Sequence, residues 1–140
     1  MKLKVCGMRS LDNIMALSQL APDYMGFIFW EHSKRFVTST TPDLPASIKK
    51  TGVFVDATLV YILDIAKQHQ LHALQLHGYE SPDFCQKLQT TGLEVIKSFA
   101  VDTNFDFSVL EAYESVCDYF LFDSKGELPG GNGRRFDWTV

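Results

Sequence analysis

Apolar residues come along this chain in short runs, each closed by a polar or glycine-bearing stretch, and helix-period segments fill the spaces between them. Runs of that length suit strands buried on both faces, as in a parallel sheet. The first, Leu3-Lys4-Val5-Cys6, puts Leu3 and Val5 on one face and Lys4 and Cys6 on the other, because side chains alternate along a strand. The second covers 24–30, the third 52–56 and ends on Asp56, and the fourth covers 73–78. In the fourth, Leu74 and Leu76 share a face and Gln75 and His77 share the opposite one. A fifth strand is predicted over 94–99 and a sixth over 119–123, ending on Asp123.

The intervening segments carry helix signals. Ser10 is placed to cap a helix over 11–20, with Asp12 in its first turn. A short helix is predicted near 45–50. Thr58 opens a helix whose apolar residues Leu59, Ile62, Leu63, Ile65 and Ala66 recur at helical spacing. Ser81-Pro82 is a cap followed by proline at the first helical position, and Gly92 sits where that helix ends. A less regular helix spans 105–114.

Strict alternation of strands and helices implies a parallel sheet with right-handed crossovers, either a barrel or a doubly wound sheet. A Rossmann fold wants a glycine fingerprint after its first strand, and Gly7 alone does not supply it. A flavodoxin-like order stays open on counts alone. With no linker or low-complexity tract, residues 1–140 read as a single domain.

Charge narrows the partners. A formal net charge of −4 argues against nucleic-acid binding, which depends on Lys and Arg neutralising phosphates. No stretch has the length and apolarity of a membrane span, and the amino terminus lacks the apolar core of a signal peptide. The cysteine count is odd, 3, with no Cys-x-x-Cys pair, which points to a reducing compartment, and the expected location is the cytoplasm.

If the strands are parallel, their carboxyl ends share one rim carrying Cys6, Arg35, Asp56, His77 and Asp123. Each has an ordinary structural explanation: a single cysteine is commonly a small buried hydrophobe, a histidine by a glycine turn a hydrogen-bonding group, an aspartate a turn cap. Together, an acid, a thiol and a guanidinium can move protons on a small anionic substrate. Cys85 and Cys117 read as packing residues. No set of His, Cys or acidic residues has the spacing of a metal site. The Gly130-Gly131-Asn132-Gly133 loop is a weak phosphate-cradle signal, and a mobile lid is an equal alternative.

With these residues laid out, the chain resembles the phosphoribosylanthranilate isomerase family of tryptophan biosynthesis. The resemblance rests on Lys4-Val5-Cys6-Gly7-Met8, Gly26-Phe27-Ile28-Phe29, Ser33-Lys34-Arg35, Gly52-Val53-Phe54-Val55, Leu74-Gln75-Leu76-His77-Gly78, Leu121-Phe122-Asp123 and the glycine loop followed by Phe136-Asp137-Trp138, in family order. It implies a (β/α)8 TIM barrel and an Amadori rearrangement of a phosphorylated small-molecule substrate, without metal or organic cofactor. It also implies that Cys6 is the general base, Asp123 the general acid, Arg35 the holder of the anthranilate carboxylate, and Gln75 and His77 lining residues. The nearby Lys4 ammonium is expected to favour the Cys6 thiolate electrostatically. Gly130, Gly131 and Gly133 fall in the loop or lid.

Against an eight-stranded family barrel this sequence supplies about six β/α units, so strands seven and eight are expected to be missing. Two open parallel edges would then be left for self-association or complementation. Two alternatives to the isomerase follow: a non-catalytic barrel fragment that acts as an assembly partner, and another sugar-phosphate isomerase or epimerase.

Overall fold

The register of strand pairing carries one set of side chains onto one face of a curled sheet. The structure is a computed structural model, and it describes residues 1–126 and Gly130. Its elements are β1 (Lys4–Cys6), α1 (Leu11–Ser18), β2 (Tyr24–Ile28), β3 (Lys49–Phe54), α2 (Leu59–His69), β4 (Ala73–Leu76), α3 (Pro82–Gln89), β5 (Glu94–Val101), a 3-10 helix (Phe107–Ala112) and β6 (Tyr119–Ser124). The strands form one sheet in chain order, and every pairing is parallel. Doubly wound sheets reverse their order at a switch point; none occurs among the six described strands, so the flavodoxin-like alternative falls.

The register also shows stagger. A row of partners starting at Cys6, the last residue of β1, passes through Gly26, Thr51 and Ala73 and ends at Glu94, the first residue of β5. Strands that slip steadily in this way tilt and curl as in a barrel. Side-chain contacts across the concave face agree. Lys4 on β1 reaches Gln75 on β4, Nζ to Oε1 at 2.5 Å. In a flat sheet those strands would lie roughly 14 Å apart.

The opposite parity builds the main core. Met25, Phe27, Phe54, Leu74, Leu76 and Val95 face the helices and meet Ile14 of α1, Ile62 and Ala66 of α2, and Cys85 and Leu88 of α3. Cys85 and Cys117 are both buried in this core, as packing residues should be. On the concave face a smaller apolar layer, Tyr24, Ala73 and Ile96 with Leu121 against it, fills the middle of the curl.

Two helix starts follow the sequence signals. Thr58 accepts from Tyr61 N, and Ser81 accepts from Phe84 N with Pro82 opening α3. Ser10 sits at the cap position of α1 in extended backbone but makes no side-chain cap bond. The helix expected near 45–50 is absent. Ile48 N bonds back to Pro45 O in a turn, and β3 begins at Lys49, earlier than predicted, because its backbone pairs with β2 from that residue on. Residues 105–114 form only the 3-10 helix, opened by Asp106 accepting from Ser108 N.

Candidate active site

Cys6 ends β1, and the chain turns immediately behind it. Gly7 takes a φ of 84°, in the left-handed region that favours glycine, while Gly7 N and Met8 N both donate to Gly26 O at 3.0 Å. Gly26 also clears room for the thiol, since a Cβ there would lie 2.7 Å from Cys6 Sγ. Arg35 crosses the same turn. Its Nη1 donates to Cys6 O at 3.1 Å, and a side chain at Gly7 would overlap the guanidinium. Arg35 is exposed, and its remaining donors suit a planar anion.

Cys6, Arg35, Gln75, His77 and Asp123 line one cavity of about 330 Å³ at the carboxyl end of the strands, the end where parallel β/α barrels place their chemistry. Lys4, Trp30 and Leu121 complete much of its wall. Gly130 lies over one side, where a Cβ would come 3.0 Å from His77 Cε1 and 3.4 Å from Asp123 Oδ2. Gly131 and Gly133 lie outside the described residues.

Polar side chains link up across this cavity. Lys4 Nζ donates to Gln75 Oε1, Gln75 Nε2 lies 2.9 Å from His77 Nδ1, and His77 Nε2 lies 3.4 Å from Asp123 Oδ2. Lys4 therefore turns to the amide rather than to the thiol: its ammonium finds an acceptor three strands away across the curl. Burial pushes the His77 imidazole below its ordinary value, against the upward pull of Asp123, with Lys97 and Lys4 adding to the fall.

Asp56 is not part of the cavity. It sits just past β3 with a φ of 48°, its Oδ1 accepting from Tyr79 N at 2.6 Å, so its carboxylate ties down the β4–α3 connection. That connection also holds an ion pair absent from the sequence reading. Glu80 Oε2 and Lys97 Nζ are 3.1 Å apart, each side chain 3% exposed. Glu80 accepts from Gly78 N and Asp56 N, and Lys97 donates to Gly78 O at 2.7 Å. The one signal was a lysine among Val95, Ile96 and Phe99 at the parity that faces the helices.

Among the described residues no cluster of His, Cys, Asp or Glu could hold a metal ion, and no helix is long and apolar enough to cross a membrane.

Comparison with known proteins bears on this geometry. Residues 3–140 match the family model described as N-(5'phosphoribosyl)anthranilate (PRA) isomerase. Curated relatives named N-(5'-phosphoribosyl)anthranilate isomerase include one from Parabacteroides distasonis, 46% identical over 146 residues with 100% of this chain and 66% of its own length covered. Another, from Phocaeicola vulgatus, is 44% identical, with 100% and 68% covered. The chain thus spans about two thirds of the length of these relatives. The solved phosphoribosyl anthranilate isomerase of Thermotoga maritima superposes with a TM-score of 0.77 at 32% identity, covering 99% of this chain and 68% of that one. A second solved isomerase, in complex with reduced 1-(o-carboxyphenylamino)-1-deoxyribulose 5-phosphate, gives 0.68 at 28% identity, covering 88% and 75%.

Proposed function

Because the chain belongs to the N-(5'-phosphoribosyl)anthranilate isomerase family, we propose that it serves that isomerase's reaction, the Amadori rearrangement of N-(5-phosphoribosyl)anthranilate to the aminodeoxyribulose phosphate. The observation that carries this reading is that Cys6, Asp123 and Arg35, which come from three separate segments of the chain, line one cavity at the carboxyl end of the strands.

In the proposed mechanism protonated Asp123 gives its proton to the furanose ring oxygen. The C1–O bond breaks as the anilino nitrogen's electron pair forms the C1=N bond of a Schiff base. Cys6, as thiolate, then takes the C2 proton. The C–H electron pair becomes the C1=C2 bond, and the C1=N electrons return to nitrogen, giving the enolamine. Arg35 holds the anthranilate carboxylate with its fork of donors. The solved relative bound to a reduced product analogue supports a phosphorylated ligand of this kind.

The reading extends to setting. All three cysteines are free, which suits the cytoplasm. A solved relative, 29% identical, is described as monomers of the dimeric Thermotoga maritima enzyme, which supports self-association as a property to test by sedimentation.

The test is loss of anthranilate fluorescence on adding substrate, compared between the protein and Cys6→Ala. Turnover that vanishes in the variant supports the isomerase. No turnover in the parent protein favours the non-catalytic fragment, and turnover indifferent to Cys6 removes the thiol from its role.

A further inference from the structure

We propose that Lys4, Gln75 and His77 form a positioning relay that fixes the tautomer of His77 and so decides which oxygen of Asp123 carries its proton. The first part stands on the polar chain across the concave face. The second rests on Asp123 being the acid of the proposed isomerase.

One atom of this chain has no choice of role. An ammonium only donates, so the Gln75 atom 2.5 Å from Lys4 Nζ is the carbonyl oxygen. The amide nitrogen is then the atom facing His77, 2.9 Å from Nδ1. That nitrogen only donates, so Nδ1 is an acceptor and the ring proton sits on Nε2. A doubly protonated ring would set an N–H against the amide N–H, so the relay also opposes the imidazolium.

His77 Nε2–H has no hydrogen-bond partner at standard geometry among the described residues, yet it faces Asp123 Oδ2 at 3.4 Å. Long contacts of this kind tighten when substrate closes a site. An Oδ2 that accepts from His77 leaves the acid proton on Oδ1. When that proton departs, the N–H stays to stabilise the carboxylate formed.

The backbone that carries the ring is held from behind. His77 N donates to Phe54 O at 2.8 Å, and Lys97 bonds the carbonyls of Leu76 and Gly78 on either side. The charged groups acting on the imidazole come from every neighbouring element: Lys4 of β1, Lys97 of β5, Asp123 of β6, and Glu80 of the β4–α3 connection.

The experiment is a long-range proton–nitrogen correlation spectrum of the full protein with ring-labelled histidine, at neutral pH. His77 is expected as the neutral Nε2–H tautomer. In Gln75→Glu, where a carboxylate can only accept, Nδ1 is expected to gain a proton. Lys4→Met, which frees the amide to rotate, is expected to give mixed tautomers. Nδ1–H in the parent protein overturns the relay, as does an unprotonated Nδ1 in Gln75→Glu. The kinetic arm tests the aiming of Asp123. His77→Leu should lower kcat about 30-fold with KM within about twofold, and His77→Gln, whose amide N–H₂ can take the place of Nε2–H, should recover most of it. An unrecovered loss, or none, overturns the aiming. If the parent protein has no turnover, the isomerase reading fails and the spectrum still decides the relay.

Discussion

Two polar clusters occupy the concave face of the sheet, one at each end of its strands. At the amino end, Glu94 accepts from Lys49 Nζ at 2.6 Å and from Tyr24 O–H at 2.5 Å. Tyr24 packs edge-on against Tyr119, ring centroids 6.4 Å apart, and Lys2 reaches the Tyr119 hydroxyl. Each charge there has its partner, and Glu94 is only 15% exposed. At the carboxyl end the chain of contacts starts equally tight at Lys4, loosens to 3.4 Å at Asp123, and opens on a cavity. The lesson is that similar residue types serve different ends according to whether their hydrogen bonding closes on itself. The closed cluster pins tilted strands together; the open one leaves a thiol and a carboxyl group facing a cavity. In barrels of this kind the amino face serves stability and the carboxyl face chemistry.

The comparison breaks most sharply if the two ends can be exchanged in effect. Asp123→Asn and Cys6→Ala should each lower turnover by about 10³-fold in the fluorescence assay while the thermal midpoint stays put; a large fall in the midpoint would make the carboxyl end structural after all. Glu94→Ala should do the reverse. It leaves Lys49 and the Tyr24 hydroxyl without their acceptor, at about 2 kcal/mol by denaturant titration, with turnover per folded molecule kept.

A pH titration sharpens the same contrast with a smaller effect. Burial pushes the Glu94 carboxyl up, but the hydrogen bonds from Lys49 and Tyr24 outweigh it, and it ends below its ordinary 4.5. A group depressed by folding stabilises the native state above its unfolded value, and that contribution disappears as pH falls through the folded value. Acid unfolding of the parent protein should therefore be steeper below pH 4.5 than that of Glu94→Gln. The smallest change should come from Cys85→Ala and Cys117→Ala, away from both clusters. We expect about 1 kcal/mol of stability and no change in kcat; a large kcat effect would mean the core behind β5 reaches the site.

Much of this was legible in the sequence because a parallel sheet writes its faces with a period of two. Lys4 and Cys6 opposite Val5, and Gln75 and His77 opposite Leu74 and Leu76, already separate cavity from core. Strands ending on polar residues marked the rim, although Asp56 shows the limit of that rule: past the strand end, a left-handed residue turned its carboxylate to a backbone N–H. Partners distant in sequence left weaker traces. Glu80 in a polar turn looks solvated until Lys97 of another strand is known to lie beneath it. The helix expected near 45–50 fails for a related reason: pairing with β2 claims the backbone from Lys49 onward.

Strand order equal to chain order has a kinetic side. Each new strand finds its first partner already made and next in line, so the sheet can grow one strand at a time, as a chain emerging from the ribosome would allow. The cavity obeys a different clock. Lys4 and Gln75 are 71 residues apart, and Asp123 joins from β6. The thiol and its turn are laid down at the outset, yet the site they belong to assembles only when the sixth strand docks.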